Sequence, residues 1–325
     1  MMKLVIDTDP GIDDAIAILL ATASPKLDLI ALTTVGGNVG IDVVTPNALA
    51  LLELAGAKDV PVYRGADRSL GRERPRASAA HGDDGLGGFR PVFPASRTAE
   101  TESAVDFLLR ITREQPGEIT VLAIGPLTNI AEAVRRDPGF PGRVARLVLM
   151  GGAEGTGNIT PSAEFNFWHD PEAASEVFAA GFDTPVMVGL DATRHAFMTP
   201  GVRELVRQIG TPTARFIHGS TRQYTDHYWN RYHEVGSELC DVLAVAQLID
   251  PALVPTVAAH VEIETAGICE GRSVVARTAR YTDRTANALV ATDAVDTRGF
   301  FELLLGTLFP EHRADIERTI GHEYR

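Results

Sequence analysis

Asp7-Thr8-Asp9-Pro10-Gly11-Ile12-Asp13-Asp14 places four carboxylates in eight positions, directly after the apolar run Leu4-Val5-Ile6 and before the apolar run Ala15–Ala21. The pattern reads as a buried strand, a Pro-Gly turn and a helix start. Like charges this close repel, and they do not all stay ionised at a buried strand end without compensation. Hard divalent cations such as Ca²⁺ and Mg²⁺ supply it, because they take oxygen ligands. A plain acidic helix start accounts for Asp13 and Asp14, where the helix dipole favours negative charge. It leaves Asp7 and Asp9 unexplained, so the stretch is read as a metal or catalytic site.

Working outward, short β-branched runs alternate with helical stretches. Leu29–Thr34 is the next strand, and Asp42 is read as the cap of a helix running to Gly56, with Pro46 in its first turns. Val60–Tyr63 is short and extended. Strands at Ile119–Ile124, Arg146–Met150 and Val186–Leu190 alternate with helices at Ser103–Glu114, Leu127–Arg136 and Pro171–Ala180. Such alternation predicts an α/β fold, a Rossmann-like open and mostly parallel sheet with helices on both faces. Ligands then bind beyond the carboxyl ends of the strands. Asp7-Thr8-Asp9, Gly36-Gly37-Asn38, Gly125–Asn129 and Met150-Gly151-Gly152 all follow strands, so four loops are expected to converge on one pocket.

Beyond Leu190 longer helices are predicted at Gly201–Ile209, Thr213–Trp229 and Asp241–Ile249, with strands at Ala258–Glu264 and Ser273–Thr278 and a helix at Thr297–Leu308. No repeat or linker divides the chain, and residues 1–325 read as one domain. Residues 64–98 form a long loop rich in Arg, Gly, Ala and Pro, the kind that is usually functional. Arg64–Arg97 and Tyr224–Tyr232 are expected to flank the pocket mouth and close over it.

The 325 residues carry a formal charge of −13, which repels phosphate backbones and argues against nucleic acid as a partner. Two cysteines, Cys240 and Cys269, make no disulfide framework. No apolar stretch is long enough for a membrane span, and the start shows no leader-like segment. A cytoplasmic enzyme is expected, without membrane association.

Several segments in order resemble the inosine-uridine nucleoside hydrolase family: Asp7 to Ala15, then His81-Gly82-Asp83-Asp84-Gly85-Leu86-Gly87-Gly88, Gly125-Pro126-Leu127-Thr128-Asn129 and Leu149-Met150-Gly151-Gly152. Gly157-Asn158 and Ala163-Glu164-Phe165-Asn166 are similar to its sugar-binding segment. The resemblance runs along nearly the whole chain. It implies hydrolysis of the N-glycosidic bond of ribonucleosides to ribose and free base, with a bound Ca²⁺. Carried over by position, it makes Asp9, Asp14, Asp241 and the Thr128 carbonyl calcium ligands, and Asp9 the general base. Asp13, Asn38, Asn158, Glu164 and Asn166 would hold ribose hydroxyls, with His81 and Met150 beside the substrate. A homo-oligomer, dimer or tetramer, is also implied. The chemistry agrees: breaking this bond builds positive charge on the sugar, which carboxylates stabilise, and a metal lowers the pKa of a water that an adjacent carboxylate deprotonates.

Some of these residues have simpler readings. Asp7 can orient the turn, Asn38 can be a turn residue, Met150 can be core, and Asp241 can cap its helix. His169-Asp170-Pro171 reads as a helix N-cap rather than a catalytic pair. Cys240 departs from the better-known branch of the family, in which a histidine precedes the last calcium aspartate and is credited with protonating the leaving base, so the resemblance is to a branch with Cys at that position. A thiol is a weak donor, and nearby carboxylates raise its pKa. Tyr224, Asp226, His227, Tyr228, Trp229 and His233 are the candidates for that role, and an aromatic ring there stacks on a base. A haloacid-dehalogenase-like Mg²⁺ phosphohydrolase also begins strand-Asp-x-Asp, but it leaves Asp13-Asp14 unexplained and lacks its downstream lysine motif here. A calcium loop of the EF-hand type is excluded by Gly11 at its fifth position. A non-catalytic nucleoside- or sugar-binding protein of the same fold is the remaining alternative.

Overall fold

Apolar side chains that alternate along each early strand explain why the sheet is covered on both faces. Leu4 and Ile6 enter one core while Val5 enters the other, and Leu122 opposes Val121 in the same way. A computed structural model describes residues 1–71, 74–91, 97–278, 280 and 283–324. Its strands are β1 (Met2–Thr8), β2 (Leu27–Thr34), β3 (Val62–Arg64), β4 (Ile119–Ala123), β5 (Arg146–Met150) and β6 (Val186–Val188). They continue with β7 (Phe197–Met198), β8 (Ser237–Glu238), β9 (Thr256–Ile263), β10 (Ser273–Ala276) and β11 (Ala288–Ala291). Among the described residues nine of these form one sheet in the order β10-β9-β11-β6-β5-β4-β1-β2-β3, and β7 pairs with β8. Pairing is parallel from β3 through to β11, and only β9 runs against its neighbours.

The strand order reverses beside β1, which lies between β2 and β4. In open α/β sheets that switch point opens a crevice at the carboxyl ends of the strands. Asp9 and Gly125 leave the sheet there. One core packs the helices Ile12–Ala23, Ile41–Leu54, Cys240–Ile249 and Thr297–Leu308 against the sheet. The other packs Ala104–Glu114, Thr128–Arg136 and Pro171–Ala179 against the opposite face.

The α/β expectation is met, and Arg146–Met150 and Thr297–Leu308 have the bounds read from sequence. Differences have local causes. Gly40, not Asp42, occupies the N-cap of Ile41–Leu54, with Asp42 in the first turn. The run expected as strand to Leu190 stops at Val188, because Gly189 caps the short helix Leu190–Thr193. β11 and the helix Arg313–Glu323 were not foreseen; four residues of strand, and a mostly polar helix that buries only Ile316 and Ile320, give weak periodic signals. Among the described residues no helix is long and apolar enough to cross a membrane.

Candidate active site

The turn after β1 is built by its own carboxylates. Asp14, in the first turn of Ile12–Ala23, accepts from the Thr8 hydroxyl (2.6 Å) and the Gly11 amide (3.0 Å). Asn38, in the loop after β2, donates its amide N–H to Asp9 Oδ2 (2.6 Å) and its side-chain amide to the Asp9 carbonyl (3.2 Å) and Asp14 Oδ2 (3.1 Å). Asn38 therefore ties the carboxylates together and is more than a turn residue. Gly37 and Gly125 close on Asp9 so tightly that a Cβ would lie 2.1 Å and 2.6 Å from its carboxylate oxygens. Only glycine lets both loops approach.

Asp9, Asp13, Asp14 and Asp241 are all buried, and their neighbours are one another, hydroxyls and amides. Burial raises every one of the four pKa values, with mutual repulsion adding to it for Asp9, Asp13 and Asp241; Asp13 reaches about 7. Ligand atoms of Asp13, Asp14 and Asp241 lie within 4.8 Å of one another, a cluster able to hold a metal ion. Asp9 stands beside this triad with Oδ1 buried and unpartnered. An orphaned carboxylate oxygen beside a cluster of buried carboxylates fits a hard cation, which takes oxygen ligands and compensates the charge. Thr128 is buried at the start of its helix, and its hydroxyl donates to Asp170 Oδ2 (2.6 Å). Asp7 neither caps nor turns. It is a buried strand residue that accepts from Thr33 (2.5 Å) and Asn129 (2.7 Å), lacing β1 to β2 and to the start of the helix Thr128–Arg136.

A cavity of about 200 Å³ opens above this cluster. Asp13, Asn38, His81, Met150, Asn158, Glu164, Asn166, Tyr224, His227, Tyr228, Cys240 and Asp241 all line it, so residues far apart in sequence meet as expected. Asp9, Asp14 and Thr128 are more deeply buried. Glu164 accepts from the amides of Gly152 (2.9 Å), Asn166 (2.8 Å) and Phe167 (3.2 Å) as the N-cap of Phe165–His169, yet burial still pushes its pKa to about 7. Asn166 spends its amide on the Ile124 and Met150 carbonyls (3.0 and 3.2 Å). That leaves its oxygen as the acceptor for a ligand. Asn158 uses its oxygen on the Phe165 amide (2.9 Å), leaving its N–H₂. Tyr224 donates to Asp13 Oδ1 (3.0 Å). His81 Nδ1 accepts from the Ile12 amide (3.1 Å), which fixes a neutral ring with the proton on Nε2; burial holds its pKa down at about 3.

Helical periodicity decides which aromatics turn inward. Tyr224, His227, Tyr228, Arg231 and Tyr232 share one face of Pro212–Tyr232 and line the cavity. Of the other candidates, Trp229 is 53% exposed, Asp226 pairs with Arg222, and His233 follows the helix end in a left-handed conformation. Arg231 and Tyr232 were missed, although the i, i+3, i+4, i+7, i+8 spacing from Tyr224 marks them. Arg76 was missed as well; it lies in a loop without periodicity.

Asp170 is the N-cap of Pro171–Ala179, accepting from the Ala173 amide (3.1 Å), as its Asp-Pro sequence indicated. Residues 72, 73 and 92–96 of the Arg64–Arg97 stretch lie outside the described residues. Elsewhere that stretch is fastened: Arg76 grips Asp67, the Leu70 amide donates to Asp170, and Arg74 stacks on Trp168 and pairs with Glu270. Its helix Ser78–His81 forms cavity wall, so this part of the stretch flanks the pocket as expected.

The sequence profile of the inosine-uridine preferring nucleoside hydrolases matches residues 4–302. The chain belongs to this family. It is similar to the inosine-uridine preferring nucleoside hydrolase of Leishmania major, 41% identical over 84% of this chain and 87% of that one. It is 39% identical to the pyrimidine-specific ribonucleoside hydrolase RihB of Escherichia coli O157:H7, over 84% and 86% of the two chains. Among solved structures, the plant nucleoside hydrolase PpNRh1 superposes with a TM-score of 0.89 at 36% identity, covering 94% of this chain and 98% of that one. Membership of the nucleoside hydrolase family sets aside the phosphohydrolase reading.

Proposed function

We propose that this nucleoside hydrolase cleaves the N-glycosidic bond of ribonucleosides with Asp9 as the general base. The observation that carries the reading is the convergence of Asp9, the Asp13-Asp14-Asp241 cluster and the Asn158, Glu164 and Asn166 segment on one cavity at the sheet's switch point. Asp9 Oδ2 is fixed by the Asn38 amide, and its free Oδ1 takes the proton of the attacking water. Asp13, Asn38, Asn158, Glu164 and Asn166 keep polar atoms for ribose hydroxyls and orient the anomeric carbon. The buried negative charge stabilises the oxocarbenium character that develops as the bond to the base breaks.

Asp9, Asp14, Asp241 and the Thr128 carbonyl are the proposed holders of a Ca²⁺, which when bound supplies charge compensation, a grip on the sugar diol and a more acidic water. Asp13 belongs to the same carboxylate cluster, and its bond from Tyr224 supports a role toward the sugar. Two free cysteines support a reducing, cytoplasmic setting. The sheet draws strands from Met2 to Ala291, which supports one domain over 1–325. A homo-oligomer, dimer or tetramer, completes the proposal.

A panel of purine and pyrimidine ribonucleosides, assayed for free base and reducing sugar alongside phosphate release from phosphoesters, tests this reading. Base and sugar from nucleosides are expected, and phosphate release alone would overturn it.

Cys240 shapes the base end of the cavity. Burial, then the charges of Glu238 and Asp13, raise its pKa well above the usual thiol range. Its S–H points to Glu238 at 3.8 Å, away from the role of proton donor to a base. Cys240→Ala is therefore expected to shift base preference through cavity volume while costing less than about tenfold in rate, about 1.4 kcal/mol. Steady-state kinetics on inosine and uridine check it. A loss of 10³-fold, restored by Cys240→His, would show that the thiol carries the proton.

A further inference from the structure

A second cavity of about 630 Å³ lies behind the base end of the active site, and Tyr228, Tyr232 and Asn158 line both. Its walls also carry Arg194, Glu234 and Glu238. Glu238 sits in β8, three residues before Asp241, and is the group that accepts the Cys240 S–H. Nothing in the hydrolysis described so far uses Glu238, although the carboxyl is sequestered between the thiol and the Tyr228 phenol. We infer that Glu238 is a positioning residue that supplies protons to the leaving base through Tyr228, refilled from the second cavity. This rests on the ribonucleoside-hydrolase reading.

Three observations carry the inference. Cys240 lines the substrate cavity, and its S–H is spent on Glu238. Tyr228 lines both cavities, and its hydroxyl is hydrogen-bonded to Glu238. Glu238 keeps a proton near neutral pH: burial raises its pKa to about 7, against the pull of Arg194, with Glu234 adding to the rise and contacts from Cys240 and Tyr228 opposing it. Arg194, Glu234, Tyr228 and Cys240 are the titratable or charged groups facing it, and Phe197 pairs with it across β7.

The proton balance closes. As the bond between the anomeric carbon and the base breaks, its electron pair passes to the base, and Tyr228 O–H protonates a ring nitrogen. The Glu238 carboxylic acid passes its proton to the Tyr228 oxygen and is left as a carboxylate facing Arg194. Solvent in the second cavity then reprotonates Glu238, while Asp9 takes the proton of the attacking water. A supply from behind keeps the water that refills the acid apart from the water that attacks the sugar.

The test compares Glu238→Gln and Tyr228→Phe with the wild type on inosine and on 4-nitrophenyl β-D-ribofuranoside, whose phenolate leaves without a proton. Both variants are expected to lose roughly 100-fold in kcat on inosine while changing less than about threefold on the nitrophenyl riboside, the signature of a missing general acid. The double variant is expected to lose no more than either single one, since the two groups act in series. The wild-type kcat on inosine should fall as pH rises through about 7, and Glu238→Gln should abolish that dependence. Activity on the nitrophenyl riboside reports folding for both variants. Equal losses on both substrates, or full inosine activity in Glu238→Gln, would overturn the relay alone. A wild type inert toward both substrates would overturn the hydrolase reading and the relay with it.

Discussion

Asp9→Asn is expected to lower kcat on ribonucleosides by roughly 10²–10⁴-fold, the usual consequence of removing a general base. The geometry explains why the exchange is clean. Asp9 Oδ2 must keep accepting the Asn38 amide, so an asparagine places its carbonyl oxygen there. Its N–H₂ then takes the position of the unpartnered Oδ1, next to Gly125, where it has no lone pair for the water's proton. The proposed sugar contacts of Glu164, Asn166 and Asn158 come from other elements, so KM should change far less than kcat. Steady-state kinetics and binding of a ribose analogue separate the two. Near-normal turnover in Asp9→Asn would remove Asp9 from the role.

The second large effect is on stability, and its sign follows from the raised carboxyl pKa values. Asp13 and Glu164 titrate at about 7 in the fold, and Asp9, Asp14 and Asp241 are raised as well. Between about pH 4, where unfolded carboxyls titrate, and about pH 7, these five groups hold more protons in the folded chain than in the unfolded one, while His81 and His169, which burial holds down at about 3 and about 4, act in the opposite sense. The carboxyl contribution to the stability of chelator-treated protein should therefore fall as pH rises through this window. Ca²⁺ competes with those protons, so its stabilising effect should grow over the same window and reach about 2.7 kcal/mol at a hundredfold excess over its Kd. Thermal melts at several pH values, with chelator and with Ca²⁺, read this directly. Asp241→Asn should raise the melting temperature of chelated protein at neutral pH and abolish the response to Ca²⁺. A melting temperature that climbs with pH in chelator, or ignores Ca²⁺, would contradict the carboxylate-cation account.

Much of this was legible in the sequence because crowded charge and strand-turn-helix patterning are local signals. Asp7 to Asp14 announced both the first βα unit and the acidic cluster, and β4 and β5 read as buried runs because parallel strands are apolar on both faces. Asp7 was harder, since only the register of β1 with β2 shows that it faces Thr33 rather than the turn. Gly37 and Gly125 looked like ordinary loop glycines, and their necessity appears only when both loops meet Asp9. The inward face of the aromatic helix follows from a period of 3.6, but only once the segment is known to be helical through Tyr232. Glu238 gave no signal at all. A two-residue strand and a cavity shared by distant segments carry no sequence period.

The most direct measurement is the stoichiometry of products from inosine and uridine in phosphate-free buffer, after chelation and again after Ca²⁺ is restored. The expected result is one free base for each reducing sugar, formed with Ca²⁺ present and suppressed without it. Base release that requires inorganic phosphate and yields a sugar phosphate, or no base release from any ribonucleoside, would contradict hydrolysis by this site.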